Sequence, residues 1–192
     1  LPLTGIKILD LTRVLAGPLS AQMLADLGAE VIKIERPGGG DDARAFGPPY
    51  LKDPEGKANN NNSFYLCANR NKKSVALDLK DPASSALARR IALDSDVLVE
   101  NNRPGVMDRL GLGYASLSKD KPSLIYCSIS AYGQAGPRAT EGGFDLTVQA
   151  ASGVMSVTGE ADGAPVKCGV PLADFASGLY GAYAIAAALA AV

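Results

Sequence analysis

A single acid near the end of the sequence stands directly before a long uncharged run. Pro171-Leu172-Ala173 leads into Asp174, and no charged residue follows between Phe175 and Val192. A carboxylate at the start of an apolar helix is favoured by the helix dipole and by free backbone N–H groups, which keeps it available for chemistry. Aspartate is also a common N-cap, and local sequence alone favours that structural role. Asp174 is therefore a candidate nucleophile whose alternative is a plain helix cap.

The residue types that are missing restrict the chemistry further. The chain contains no histidine, which removes the commonest general base, the usual serine and cysteine triads and most transition-metal sites. Acid–base or nucleophilic work is left to carboxylates, Lys, Tyr, Cys or Ser. The cysteines Cys67, Cys127 and Cys168 are odd in number and match no metal-binding spacing. We therefore predict neither a zinc site nor a disulfide framework, and we expect a reducing compartment.

Three arginines stand at or next to the ends of predicted strands. Arg13 follows the first strand, Arg36 the second and Arg103 a later one. Ligands of doubly wound sheets bind beyond the carboxyl ends of the strands, and guanidinium groups match phosphate oxygens. The three arginines could thus converge on one anionic ligand. The alternative is that each forms a surface salt bridge with a nearby acid, and for any one of them alone this alternative is favoured.

The elements that must position these residues alternate between strand and helix. Strands are predicted at 6–11, 31–35, 73–79, 96–100 and 123–130, and helices at 19–27, 82–94, 106–110, 144–154 and from 174 onward. Gly17-Pro18 reads as a break, and Gly28 as the end of the first helix. The long polar excursion 37–62 is expected to be a surface loop. This alternation predicts an α/β fold with a doubly wound, mainly parallel, Rossmann-like sheet.

Several functional classes are disfavoured by the same sequence. The first turn, Leu15-Ala16-Gly17-Pro18, lacks the Gly-x-Gly-x-x-Gly fingerprint, and no P-loop Gly-Lys-Ser/Thr occurs, so nicotinamide or ATP chemistry is not predicted. The formal net charge of −1 argues against a nucleic-acid partner, so an anionic ligand must be held locally. The uncharged run 175–192 approaches the length of a membrane span. Its many alanines and missing basic flank favour a buried helix packed through small residues, and no membrane partner is expected.

Seven segments, in order along nearly the whole chain, match a known family. They are 6–18, 27–37, 69–74, 99–105, 132–137, 143–146 and, around Asp174, 169–179. In these segments the sequence resembles the family III CoA-transferases, the CaiB/BaiF family. The resemblance implies that the chain is the N-terminal part of the large CoA-binding domain, without the small domain and the C-terminal return. It also implies an interlocked homodimer in the full-length form.

The chemistry implied by the resemblance is an exchange of coenzyme A between a thioester and a carboxylic acid. Asp174 would attack the thioester carbonyl, giving a mixed anhydride and releasing the CoA thiolate, which stays bound. An acceptor carboxylate takes over the acyl group, and CoA reopens the resulting aspartyl anhydride. No histidine, metal or permanently bound cofactor is needed. The implied partners are an acyl-CoA, with succinyl-CoA as the default donor, and a small carboxylic acid, for which Arg13 is the local candidate.

Matched position by position, the resemblance also implies a CoA-binding wall. Leu15 and Ala16 would line it after the first strand, and Phe144 with Asp145 toward the reacting end. The other implied positions are Arg36, Leu77, Lys80, Asn101, Asn102, Arg103 and Arg109. Two positions depart from the family pattern. Asn102 replaces a bulky or aromatic residue, which would weaken adenine packing, and Ala131 replaces a glycine, which would stiffen a turn.

Two alternative functions stay open. Racemases of the same family carry histidine beside aspartate in the segment matching 143–145, where this chain has Phe144, so a 2-methylacyl-CoA racemase-like enzyme is disfavoured. A non-catalytic CoA-binding or assembly module would use Asp174 only as a cap. Asp174→Asn separates the transferase from this module, because it keeps cap hydrogen bonding and removes the nucleophile. The expected location is the cytoplasm, or the mitochondrial matrix in a eukaryote.

Overall fold

A parallel sheet forms the centre of the fold in the computed structural model, which describes residues 1–191 apart from the side chain of residue 60. The strands are β1 (Lys7–Leu11), β2 (Glu30–Glu35), β3 (Tyr50–Lys52), β4 (Ala58–Asn62), β5 (Lys72–Ala76), β6 (Val97–Glu100) and β7 (Ile125–Ser128). Five of them form the central sheet in the order β5-β2-β1-β6-β7, with every neighbouring pair parallel. Strands β3 and β4 form a separate antiparallel hairpin.

Helices cover both faces of this sheet. They are α1 (Ala16–Asp26), α2 (Ser63–Cys67), α3 (Pro82–Asp94), α4 (Val106–Arg109), α5 (Tyr114–Asp120), α6 (Asp145–Ala151) and α7 (Leu172–Leu189). Helices α1 and α7 pack on one face, around a core that includes Ile8 and Ile185. Helices α3 and α5 pack on the other face, around a core that includes Leu9 and Leu117. The predicted doubly wound α/β architecture is confirmed.

The central strands are apolar on both sides because both sides are covered. In β6, Val97 and Val99 point into the core under α1 and α7, whereas Leu98 points into the core under α3 and α5. All three are fully buried. Successive side chains of a strand alternate between faces, so a strand buried twice reads as a continuous apolar run. The strand predictions depended on this pattern.

Two helix starts show how local sequence sets the boundaries. Helix α3 has the predicted bounds, because the Asp81 side chain accepts the Ser84 N–H at 2.8 Å and Pro82 occupies the first helical position. Helix α1 begins at Ala16 rather than at the predicted residue 19. Gly17-Pro18 is therefore not a break. Proline is tolerated in a first turn, where backbone N–H groups have no helical partner.

Other predicted boundaries shift by a few residues. Strand β5 ends at Ala76 instead of 79, β7 is shorter at both ends, and helix α6 ends at Ala151 and gives way to a 3₁₀ turn, Val154–Val157. The end of the first helix was predicted correctly. Gly28 follows its C-cap with a φ of 103°, a left-handed conformation that glycine adopts without a side-chain clash.

The polar excursion is more ordered than its composition predicted. It contains a 3₁₀ turn (Asp42–Ala45) and the β3–β4 hairpin. Three of its side chains, Asp41, Ala43 and Asn62, are buried. The Asn62 side chain donates to the Ala43 carbonyl at 2.8 Å and accepts the Tyr65 N–H at 2.7 Å, so it also caps α2. The prediction of a plain surface loop was wrong for this anchored part.

Helix α7 packs against α1 through small residues. Gly178, Gly181, Ala182 and Ile185 are buried on that side, and a Cβ at Gly178 would lie 2.9 Å from the Ala16 carbonyl oxygen. The predicted packing through small residues is confirmed for this face only, because the opposite face of the helix is exposed. By length and composition alone α7 could also cross a membrane. Val192, the last residue of the predicted helix, lies outside the described residues.

Candidate active site

The strand order places a topological switch point between β1 and β6. From β1 the chain builds the sheet toward β2 and β5, and it later returns to the other side of β1 with β6 and β7. Ligands bind in the crevice outside such a point, at the carboxyl ends of the strands. The side chain of Asn101 joins the two loops there, because it accepts the Arg13 N–H at 2.9 Å and donates to the Arg13 carbonyl at 2.8 Å.

The loop after β1 is held in an uncommon conformation. Val14 has a φ of 69°, a left-handed value that is unusual for a β-branched residue. Its N–H donates to Asp41 Oδ1 at 2.9 Å, and Lys33 Nζ donates to the Thr12 carbonyl at 2.7 Å. Lys33 and Asp41 are themselves an ion pair at 2.9 Å. These contacts fix the path of the chain into α1 and bring Ala16 to the crevice.

A buried cluster of charges lies beneath this loop. Asp10 Oδ2 lies 2.8 Å from Lys72 Nζ and 3.9 Å from Lys33 Nζ, and Asp10 Oδ1 accepts the Thr12 N–H at 2.9 Å. Burial by itself would raise the pKa of Asp10, but the two ammonium groups and the hydrogen bonds outweigh it and hold that pKa below its usual value. Burial lowers the pKa of Lys72 despite its contact with Asp10.

A second buried carboxylate anchors the polar excursion to β2. Glu35 accepts hydrogen bonds from Arg44 Nε at 2.6 Å, Ser74 Oγ at 2.6 Å, Tyr65 OH at 2.9 Å and the Asp41 N–H at 2.9 Å. Burial opposes ionisation, but these donors outweigh it and hold the pKa of Glu35 well below its usual range. Both oxygens of this carboxylate thus accept hydrogen bonds from the protein itself.

Asp174 lies in the opposite kind of environment. It is the third residue of α7, in the first turn, and its side chain is partly buried. Burial, followed by the negative charge of Asp145, raises the pKa of Asp174 from 3.8 to about 6. A carboxylate with this pKa is largely ionised at neutral pH and is more basic than an ordinary aspartate. Strongly perturbed acids in a crevice are candidates for chemistry.

Asp174 is not the cap of its helix, so the alternative of a plain cap is wrong. Helix α7 starts two residues earlier than predicted, and Pro171 precedes it. Asp145 supplies the cap from α6, because its Oδ1 accepts the Ala173 N–H at 2.8 Å and the Asp174 N–H at 3.4 Å. Since another carboxylate satisfies these N–H groups, the side chain of Asp174 is left for other contacts.

A cavity of about 140 Å³ lies in front of Asp174 and brings together half of the predicted site. Ala16 contributes from the start of α1, Phe144 from the start of α6, and the loop after β6 contributes Asn101, Asn102 and Arg103. Ser130 and Ser177 add hydroxyl groups to the lining. The arrangement combines the Asp174 carboxyl group with hydrogen-bond donors and the cation of Arg103, at the place where the fold predicts a ligand; the second acid of the lining, Glu141, is paired with Arg138.

A second cavity of about 380 Å³ holds most of the remaining predicted residues. Its lining shares Asn102 with the first cavity and includes Arg36, Leu77, Lys80 and Arg109. With Arg13 the lining has four basic side chains, against the acids Glu35, Asp41 and Asp78. Since Glu35 and Asp41 are already paired with Arg44 and Lys33, positive charge is in excess and the cavity suits an anionic ligand. The two cavities are adjacent through Asn102.

Three predicted residues are placed differently. Leu15 is only 2% exposed, and in the described residues its side chain belongs to the core rather than to either cavity lining. Arg13 lines the second cavity, away from Asp174. Asp145 acts on α7 and is outside the lining of the two described cavities.

The predicted convergence of three arginines is only partly correct. Arg13 and Arg36 both line the second cavity and both pair with Asp42, so the surface salt-bridge alternative also holds for them. Arg103 lines the cavity of Asp174 instead. The loop after β6 separates the two cavities. Asn102 borders both of them, whereas the next residue, Arg103, lines only the cavity of Asp174.

Sequence reasoning missed residues that fix the site without lining it. Glu100, at the end of β6, is 3% exposed and accepts the Asn102 N–H at 2.7 Å, which fixes the loop between the cavities. Burial raises the pKa of Glu100. Gln149 is buried and bonds to Asp145 from one turn later. Its spacing of four residues from Asp145 on a predicted helix was the signal that could have found it.

The residues described by the structure contain no cluster of three or more His, Cys, Asp or Glu side chains that could hold a metal ion. The chemistry available to the site is that of a carboxyl group beside a cavity in which basic side chains outnumber acidic ones. The nearest precedents come from comparison with known proteins.

The family model for CoA-transferase family III matches residues 3–192. The chain is 50% identical over 188 residues to a succinate–glutarate CoA-transferase of Agrobacterium fabrum, covering 98% of this chain and 47% of that protein. It is 49% identical to the human succinyl-CoA:glutarate CoA-transferase, covering 98% and 41%. A crystal structure of a CaiB/BaiF family protein from Brucella suis superposes with a TM-score of 0.92 at 44% identity, covering 98% and 49%. The chain spans about half the length of these relatives, and it belongs to CoA-transferase family III.

Proposed function

We propose that the full-length protein transfers coenzyme A between an acyl-CoA and a small carboxylic acid, with Asp174 as the nucleophile. The observation that carries this proposal is the placement of Asp174. Its carboxyl group has a raised pKa, is freed from helix capping by Asp145, and faces a cavity at the switch point of the sheet. The names of the relatives support the transfer of CoA.

The two cavities suggest how the thioester would lie. The nucleotide end of CoA would occupy the larger cavity, where Arg36, Lys80 and Arg109 would face its phosphates. The chain would then pass Asn102 and bring the thioester past Ala16 to Asp174. The main-chain donors of the first α1 turn lie at this passage, where a helix dipole favours a developing negative charge.

The reaction would proceed by covalent catalysis at one carboxylate. An oxygen of Asp174 forms a bond to the thioester carbonyl carbon, the carbon–sulfur bond breaks, and the electron pair leaves with the CoA thiolate. A direct transfer of the acyl group to the acceptor would leave no aspartyl anhydride for CoA to reopen. The bound thiolate therefore attacks the Asp174 carbonyl of this anhydride first, which releases the donor acid and leaves CoA on Asp174. The acceptor carboxylate displaces the thiolate, which then attacks the acceptor carbonyl and regenerates Asp174.

The relatives also suggest the class of acid. Both named relatives act on succinate or glutarate as acid or as CoA ester. We therefore propose a short dicarboxylic acid as the acceptor and succinyl-CoA as the donor. An interlocked homodimer, and a location in the cytoplasm or the mitochondrial matrix, remain part of the same proposal.

The test is to trap the covalent intermediate. The full-length protein is incubated with succinyl-CoA and then with hydroxylamine, and any hydroxamate is mapped to a peptide by mass spectrometry. We expect modification of Asp174 in the wild type and none in Asp174→Asn, with a loss of transfer of about 10³-fold or more. Asp162→Asn, an exposed loop substitution of the same kind, serves as the control.

The outcomes separate the transferase from the non-catalytic CoA-binding module. Asp174→Asn should still bind CoA, because the proposed nucleotide contacts lie in the other cavity. Modification at Asp174 in the wild type, together with CoA binding retained in Asp174→Asn, supports the transferase. Bound CoA without any adduct across a panel of acyl-CoAs would leave a non-catalytic CoA-binding module as the function.

A further inference from the structure

The start of α7 depends on a side chain from another helix. Pro171 precedes α7, and a proline side chain has no hydrogen-bond acceptor. Asp145 supplies the acceptor instead, and its Oδ1 binds the N–H groups of Ala173 and Asp174 at 2.8 and 3.4 Å. The direction in which the Asp174 side chain leaves the helix is therefore set by a carboxylate on α6.

Asp145 is itself held by a buried amide. Gln149 Nε2 donates to Asp145 Oδ2 at 2.6 Å, and Gln149 Oε1 accepts the Cys168 N–H at 2.8 Å. The same Nε2 lies 3.4 Å from the Val170 carbonyl oxygen. Gln149 is 1% exposed and uses both ends of its amide. It thus ties the carboxylate of α6 to the segment of chain that leads into α7.

The charge of Asp145 also reaches the Asp174 carboxyl group. The charged groups that share the cavity with Asp174 are Arg103, from the loop after β6, and Glu141, from the segment before α6. Glu141 is paired with Arg138 at 2.8 Å. Helix α1 and the end of β7 contribute uncharged residues to the same lining. Among the charged groups of the described residues, Asp145 is the one that raises the pKa of Asp174, after the larger effect of burial.

We propose that Asp145, oriented by Gln149, is a positioning residue that fixes the start of α7 and aims the Asp174 carboxylate at its cavity. Its negative charge also keeps that carboxylate more basic than an ordinary aspartate. This role rests on the proposed function, in which Asp174 is the nucleophile. It replaces the assignment of Asp145 to the CoA-binding wall. A basic carboxylate attacks a thioester more readily than an ordinary aspartate, as long as it is still ionised at the working pH.

Asp145→Asn tests the contribution of charge. The asparagine keeps an oxygen for the N–H groups of Ala173 and Asp174 but carries no negative charge. It also loses the acceptor for Gln149 Nε2, a loss that Gln149→Met measures separately. We expect the acidic limb of the kcat/KM profile for CoA transfer, which reports ionisation of the free enzyme, to move to lower pH by about one unit. A purely structural role would lower the rate without moving this limb. Asp162→Asn is the matched control and should leave the profile unchanged.

Gln149→Met tests the contribution of orientation. The methionine has a similar volume but makes none of the amide hydrogen bonds, while the charge of Asp145 stays in place. We expect kcat to fall by about 10- to 100-fold with the acidic limb unmoved, because misplacing a reacting group has effects of this size. Circular dichroism establishes that each variant is folded before it is measured.

A titration of Asp174 by ¹³C NMR separates this proposal from the proposed function. The measurement follows the carboxyl resonance in wild type and Asp145→Asn, and it requires no activity. An unchanged Asp174 titration in folded Asp145→Asn overturns the positioning role even if the wild type transfers CoA. A wild type that neither transfers CoA nor traps an adduct overturns the proposed function, whereas a lowered titration in Asp145→Asn still supports the link between the two carboxylates.

Discussion

Asp10, in the central strand β1, and Asp174, in the first turn of α7, are two carboxylates whose surroundings shift their pKa values in opposite directions. Asp10 is fully buried between Lys33 and Lys72, and Asp174 is partly buried beside Asp145. Burial disfavours the charged form of both. At Asp10 two cations outweigh burial and the pKa falls, whereas at Asp174 a second carboxylate adds to burial and the pKa rises to about 6.

The difference shows that burial alone does not mark a reactive acid. An aspartate whose charge is neutralised and whose oxygens all accept hydrogen bonds contributes to folding and has little left for a substrate. An aspartate beside a like charge, facing a cavity, is destabilised in its ionised form, and it gains from any reaction that consumes the charge. The neighbours of each acid, rather than its depth, set the direction of its pKa in this molecule and make Asp174 the candidate for chemistry.

The largest effect expected on stability is at the compensated acid. Asp10→Asn leaves two buried ammonium groups short of an anion, so it should lower the free energy of unfolding by about 3–5 kcal/mol. Asp174→Asn should leave stability at pH 7 equal or increased, because it removes repulsion from Asp145. Urea denaturation followed by circular dichroism measures both. Asp94→Asn, which breaks the exposed pair with Lys7, is the control and should be silent. Equal losses at Asp10 and Asp174 would erase the contrast between them.

A smaller effect is expected where α7 is pressed against α1. Gly178 lies one turn after Asp174, and a Cβ there would lie 2.9 Å from the backbone oxygen of Ala16. Gly178→Ala should destabilise the protein by about 1–3 kcal/mol and displace the start of α7, because backbone gives way less easily than a flexible side chain. Gly39→Ala, where a Cβ meets nothing within 4 Å, is the control. A neutral Gly178→Ala in thermal denaturation would show that the packing of α7 on α1 tolerates an extra methyl group.

The smallest expected effect is a pH dependence of opposite sign at the two acids. The folded-state pKa of Asp174, about 6, is above the unfolded value of 3.8, so its contribution to stability is present below pH 4 and is lost as the pH rises through 6. Allowing for partial exposure, this loss amounts to about 1–2 kcal/mol. Asp10 behaves the other way, and its contribution is lost as the pH falls through its lowered pKa. Unfolding free energies of wild type and Asp174→Asn at several pH values between 4 and 7 should diverge with increasing pH, and parallel curves would contradict the assignment.

The sequence was sufficient to predict the sheet and to single out Asp174 as the candidate nucleophile, a role that stays a prediction. Continuous apolar runs located the central strands because those strands are buried on both faces, and the start of an uncharged helix located Asp174. The start of α1 was misplaced because Gly17-Pro18 resembles a turn, although proline also fits a first helical turn. The β3–β4 hairpin was missed because its residues, rich in asparagine, carry no alternation of apolar and polar side chains.

Partners that are distant in sequence could not be read from local pattern. Asp145 caps a helix that begins 27 residues later, and only the tertiary structure shows it. The buried pair of Asp10 and Lys33 was within reach of sequence reasoning, because these residues are opposite each other in the register of β1 and β2. Opposite charges at one register position of two otherwise apolar strands indicate a buried ion pair rather than surface residues.

Asp41 makes the polar excursion a poor place to shorten the chain. Its carboxylate holds both the Val14 N–H and the ammonium group of Lys33. A deletion through residue 41 would therefore release the loop that leads into α1 and leave the buried Lys33 with only its longer ion pair to Asp10. Residues 51–57, at the tip of the hairpin, are largely exposed. A tag or a reporter inserted at that tip should leave the crevice intact. The hairpin tip is therefore a suitable attachment point for a fluorophore in binding studies.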